Sequence, residues 1–142
     1  EFNVRFGDPE CQITLPLIET DLFEVLSKTS RDQLSQINVK FHQAHALTIV
    51  LASEGYPSKP IKDRTITGLE LTVPNVNMGS SWVNFAGVKQ DSDAVLSSGG
   101  RVLSCSAMAD NLNSAAKLAY DLISTIHLEG SFYRTDIGGK AL

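Results

Sequence analysis

The chain has 142 residues, a formal net charge of −4, 42% apolar side chains and 20% charged ones. That length supports one domain of ordinary size with a core of its own, and the balance is that of a globular chain and not a disordered one. Lys and Arg are scattered, which argues against broad binding to nucleic acid or an anionic membrane, and no apolar run approaches the roughly 20 residues that span a bilayer.

No basic region followed by an apolar stretch marks a secretory leader at the start. The two cysteines, Cys11 and Cys105, have no metal-like spacing and read as a reduced, buried pair in a cytoplasmic protein. The histidines, His42, His45 and His127, fit no zinc pattern.

In chain order, "FNVRF" alternates and predicts a short strand with Phe2, Val4 and Phe6 on its inner face. Gly7 breaks it, and Asp8-Pro9-Glu10 reads as a helix start with Asp8 as N-cap. A second helix follows in "TDLFEVLSKT", capped by Thr20, with Leu22, Phe23, Val25 and Leu26 inward. "ALTIVLAS" predicts a strand buried on both faces. "RTITGLEL", "SWVNFAGV" and "RVLSCSAMA" predict further strands, the last preceded by a turn at "SSGG". Leu112, Ala115, Ala116, Ala119, Leu122, Ile123 and Ile126 recur at helical spacing, with Asp110 or Asn111 as the cap. "SFYRTDIGGKAL" closes the chain as strand or irregular tail, with His127 expected at the helix end as a dipole partner. The predicted class is α+β, a small antiparallel sheet or open barrel packed with a C-terminal helix.

Three places carry residue types suited to chemistry. On a strand, Glu1, Asn3 and Arg5 would share one face. A carboxylate and an amide oxygen two residues apart are hard donors of the kind Mg²⁺ takes together with phosphate oxygens, and an arginine on the same face could reach an oxyanion; the plain alternative is a solvated strand face. At "SSGGRV", Gly99 and Gly100 would let backbone N–H groups approach an anion beside Arg101, or form a hairpin turn with an exposed arginine. Tyr133, Arg134 and Asp136 could support such a site from outside, but the plainer reading is a surface ion pair between Arg134 and Asp136.

"EFNVRFGDPE", then "LASEGYP", "SGGRVLSCSA" and "HLEGSFYRTDIG", in that order and nearly end to end, resemble the glycinamide ribonucleotide synthetases, also called phosphoribosylamine–glycine ligases. The resemblance implies an ATP-grasp ligase that joins phosphoribosylamine to glycine through glycyl phosphate, with ATP as co-substrate and Mg²⁺ (or Mn²⁺) as cofactor. It implies that Glu1 and Asn3 hold the metal, that Arg5 stabilises the transferring phosphoryl group, that Asp8 helps receive the amino acid, and that Gly99, Gly100 and Arg101 meet the sugar phosphate. It places residues 1–30 at the end of an ATP-grasp domain, as its final strand-helix segment, and 31–142 in a C-terminal α+β domain. The implied partners are upstream N-terminal and ATP-grasp domains of the same polypeptide and, in some relatives, a fused downstream purine-pathway enzyme. The chain on its own is then expected to lack ligase activity. Lys62-Asp63, Ala86-Gly87-Val88 and the stretch from Leu71 to Ser81 depart from the family pattern. The competing expectation is a non-catalytic docking module that retains the motif for structure.

Overall fold

Val102 to Ala109 is buried at every position, and the strand that contains it organises the molecule. The computed structural model describes residues 4–69 and 78–139. In chain order it contains α1 (Cys11–Thr14), a 3₁₀ turn (Leu15–Leu17), α2 (Leu22–Ser30), a second 3₁₀ turn (Leu34–Gln36), β1 (His45–Ala52), β2 (Thr65–Thr67), β3 (Ser80–Phe85), β4 (Val88–Asp91), β5 (Ala94–Ser97), β6 (Arg101–Ala109), α3 (Leu112–Ser124) and β7 (His127–Leu128). The strands form two antiparallel sheets, β1-β6-β3 with β6 central, and β4-β5-β2-β7. This is the α+β class expected, divided into two sheets.

Alternation decides which face each strand buries. Ile49 pairs with Cys105 and Leu47 with Ala107 across β1 and β6, and all four lie in the core with Ala115, Ala119 and Ile123 of α3. Alanines along the inner stripe of α3 bring its backbone close to the sheet. The Asn111 side chain accepts from the Ser114 amide at 2.8 Å, satisfying one of the donors that a helix start leaves unpaired. The opposite sheet face is polar at its centre. Ser106 Oγ donates to Thr48 Oγ1 (2.8 Å), and Asn84 Nδ2 donates to Ser106 Oγ (2.8 Å). Every hydroxyl of this chain of contacts has a partner, so the buried serines carry no desolvation penalty left unmet. Gly68 has φ +76°, and a Cβ there would collide with the Thr125 carbonyl just beyond α3, so glycine alone suits that crossing.

Several expectations are corrected. Residues 4–6 form no strand; Val4 and Phe6 are exposed. No strand among the described residues takes up their backbone groups, and alternation without a neighbouring strand does not make a ladder. Asp8 does not cap α1: Glu10 sits at the N-cap position without a side-chain cap bond, because the Asp8 carboxylate is engaged elsewhere. Thr20 does not cap α2 either. Asp21 does, accepting from the Glu24 amide at 3.0 Å, while Thr20 Oγ1 accepts from the Lys40 amide. Phe23 and Leu26 of α2 point outward, at 81% and 52% exposure. The helix packs mainly on the turn at Leu34–Gln36, which is too short to cover the stripe. β1 buries Leu47, Ile49 and Leu51 on one face, while Ala46, Thr48 and Val50 on the other are half-buried, since it lies at a sheet edge. His127 lies beyond the helix and pairs with Thr67 in β7.

Candidate functional site

Among the described residues, Asp8 and Arg101 meet at one corner of the three-stranded sheet. On one side is the segment that leads into α1. Arg5 Nη1 donates to the neighbouring Phe6 carbonyl at 3.0 Å. Glu1 and Asn3 lie outside the described residues. On the other side is the turn into β6, with Gly99, Gly100 and Arg101.

The turn's shape follows from backbone packing. Ser98 and Gly99 amides donate to the Gly87 carbonyl at 2.7 and 3.2 Å, and the Gly87 amide donates to the Arg101 carbonyl at 3.0 Å. Gly99 Cα lies so close that a Cβ on Gly87 would sit 2.7 Å from it and 2.6 Å from the Arg101 oxygen. Gly100 lies against the Tyr56 ring and Pro60. The glycines are therefore explained by close approach of loop to loop.

Arg101 reaches across to Asp8. Its Nη2 is 2.9 Å from Asp8 Oδ2 and its Nη1 donates to the Asp8 carbonyl at 3.2 Å. Gln12 Nε2 donates to the other carboxylate oxygen, Oδ1, at 3.1 Å. Two of the residues chosen from sequence thus meet directly. Gln12 and Gly87 were missed. Gln12 stands four residues after Asp8, a helical spacing that brings side chains together, so its contact was legible; Gly87 carried no local signal. Asp8, Gln12, Val50, Arg101 and Ser104 line a cavity of about 10 Å³, room for roughly one water molecule. A nucleotide does not fit inside it, so a ligand at this corner would bind on its surface.

The tail behaves as a surface element. Arg134 holds Asp136 through two parallel contacts, Nε to Oδ1 at 2.8 Å and Nη2 to Oδ2 at 2.6 Å. The pair raises the arginine and lowers the carboxyl from their ordinary values, chiefly through the side-chain hydrogen bonds. Both groups are exposed, which keeps the pair's worth small. Burial pushes the Cys105 thiol up to about 12, so it is a core side chain and not a nucleophile. Among the described residues no three His, Cys, Asp or Glu side chains gather as a metal cluster, and no helix is long and apolar enough to cross a membrane.

Comparison with known proteins places these features in a family. The model of the phosphoribosylglycinamide synthetase C domain matches residues 46–140. A bifunctional purine biosynthetic protein of Dictyostelium discoideum is 44% identical over all of this chain and 17% of its own length. A phosphoribosylamine–glycine ligase of Chlorobaculum tepidum is 41% identical over all of this chain and 33% of its own. The human trifunctional purine biosynthetic protein adenosine-3 is 41% identical, again over the whole chain, with 14% of its own length covered. A solved phosphoribosylamine–glycine ligase from Thermotoga maritima superposes with a TM-score of 0.71 at 31% identity, covering 96% of this chain and 32% of that one. The chain therefore spans a third or less of the length of each of these relatives. With its fold, and with two thirds of its residues inside the matched region, the chain belongs to the phosphoribosylglycinamide synthetase C domain family.

Proposed function

We propose that the chain is the C-terminal part of a cytoplasmic ligase that joins phosphoribosylamine and glycine to give glycinamide ribonucleotide, converting ATP to ADP and phosphate by way of glycyl phosphate. The observation that carries this reading is the match of the entire chain, the opening string included, to a phosphoribosylamine–glycine ligase at 41% identity. In this reading residues 1–30 close the nucleotide site and 31–142 form the C domain. The remaining domains are upstream partners, and a downstream purine-pathway enzyme is a further partner where the ligase is fused. Bifunctional and trifunctional relatives support that last point.

The chemistry asks for little beyond positioning and charge neutralisation. A carboxylate and an amide oxygen form the hard donor set that Mg²⁺ takes, so Glu1 and Asn3 fit the metal by chemistry; bound there, Mg²⁺ (or Mn²⁺) would neutralise phosphate charge. Arg5 stabilises charge on the phosphoryl group as it moves to the glycine carboxylate. Asp8, Gly99, Gly100 and Arg101 form the corner beside which glycine and the sugar phosphate bind. The exposed Phe23 and Leu26 of α2 suit a docked neighbour, which also fits the reading as a non-catalytic docking module; activity separates the two. A longer ligase polypeptide containing this chain, given ATP, Mg²⁺, glycine and freshly made phosphoribosylamine, should release ADP only when both substrates are present. No release from the folded, Mg²⁺-loaded protein favours the docking module. Glycine-dependent ADP release by the 142-residue chain alone contradicts the division of the site between domains.

A further inference from the structure

Within that corner Arg101 is already engaged, and the manner of its engagement is informative. Its two terminal nitrogens divide between the Asp8 carboxylate (2.9 Å) and the Asp8 main-chain carbonyl (3.2 Å), while Gln12 takes the second carboxylate oxygen (3.1 Å). A guanidinium that grips side chain and main chain of one residue fixes where the backbone lies, as well as pairing charge. Both ends of the grip are placed to matter. Arg101 opens β6, the central strand, from a turn held by Gly87 and by Tyr56. Asp8 stands three residues after Arg5.

The same geometry disfavours a phosphate on Arg101. A dianion docked on this guanidinium would meet the Asp8 carboxylate within a few ångströms, a like-charge contact that costs free energy at the low effective dielectric of a protein surface. The turn's Ser98 and Gly99 amides are already donated to Gly87. We infer that Arg101 is a positioning residue: it clasps Asp8 at carboxylate and carbonyl, fixes the Arg5-bearing segment against the start of β6, and does not itself hold a substrate phosphate. The catalytic consequence rests on the ligase reading; the clasp does not.

Hydrogen exchange on the 142-residue chain tests the clasp alone. In Arg101→Ala the amides of Cys11–Thr14, which bond back to Gly7, Pro9 and Glu10, should exchange about 3–5-fold faster, with β1 and β6 unchanged. Arg101→Lys should recover only part of that protection, because an ammonium lacks the planar fork. Unchanged exchange over Cys11–Thr14 in Arg101→Ala overturns the clasp. Inorganic phosphate should leave the amide resonances of Gly99, Gly100 and Arg101 in place in the wild-type chain; a saturable shift assigns Arg101 to phosphate and overturns the inference. In the longer polypeptide, Arg101→Ala should lower kcat about tenfold and leave the KM for phosphoribosylamine within about twofold. A raised KM at unchanged kcat marks a substrate ligand instead. If the parent polypeptide releases no ADP at all, the ligase reading fails, and the exchange result still decides the clasp.

Discussion

Replacing Gly87 by Ala probes the corner without touching a charged group. The new Cβ would lie 2.6 Å from the Arg101 oxygen, 2.7 Å from Gly99 Cα and 2.9 Å from Gly99 N. All three are backbone atoms, so no side chain can swing aside. Relief requires the β3–β4 connection and the turn before β6 to part by several tenths of an ångström. That stretches the bonds from Gly87 N to Arg101 O (3.0 Å) and from Ser98 N and Gly99 N to Gly87 O (2.7 and 3.2 Å). Overpacking of this kind costs about 1–3 kcal/mol. For a chain of this size each kcal/mol moves Tm by about 3 °C, so the melting point should fall by roughly 3–10 °C, read by circular dichroism. Gly99→Ala is a graded control, since its Cβ would meet Gly87 Cα at 3.1 Å and should cost less. A Gly87→Ala chain that melts within about 1 °C of wild type refutes the backbone-on-backbone explanation and reopens an anion-binding reason for the glycines.

Ile123→Ala, at a position with no solvent exposure, should destabilise by about 2–5 kcal/mol in urea unfolding. Asn111→Ala removes the bond to the Ser114 amide and should cost about 1 kcal/mol, with Asn111→Ser recovering part of it. Cys105 should resist thiol reagents in the folded chain while half-buried Cys11 reacts. Because burial raises the Cys105 value from 9.0 to about 12, its contribution to stability is intact below pH 9 and is lost as pH climbs from there toward 12. The urea midpoint of wild type should therefore fall more steeply over that range than that of Cys105→Ala, and parallel slopes would contradict the burial of the thiol.

The elements legible in the sequence were those whose pattern answers to one continuous surface. α3 repeats its alanines and Ile123 on the face that meets the sheet, and β6 alternates serines with core residues because α3 lies on one side and the Thr48–Ser106–Asn84 contacts on the other. β4 and β5 were not foreseen as a hairpin. Lys89, Gln90 and Asp91 are exposed on both faces, so no alternation survives, and the turn relies on Ser92 at φ 51°, a conformation that serine does not advertise. The Asp8 error has a different origin. Its residue type and the following proline do suit a helix start, but the carboxylate is claimed by Arg101, 93 positions away, and no local reading weighs such a contact. Arg5, Gly99, Gly100 and Arg101 were singled out by residue type and resemblance; that Arg101 meets Asp8 required coordinates.

The most direct test is ADP release by the longer ligase polypeptide carrying Arg5→Ala, measured beside wild type at saturating ATP, Mg²⁺, glycine and phosphoribosylamine. If this segment brings phosphoryl-transfer chemistry to the site, the rate falls at least about 100-fold, the scale on which removing one transition-state donor acts, while the melting temperature is unchanged. A folded Arg5→Ala enzyme that releases ADP at the wild-type rate would contradict the assignment of the opening string to the active site.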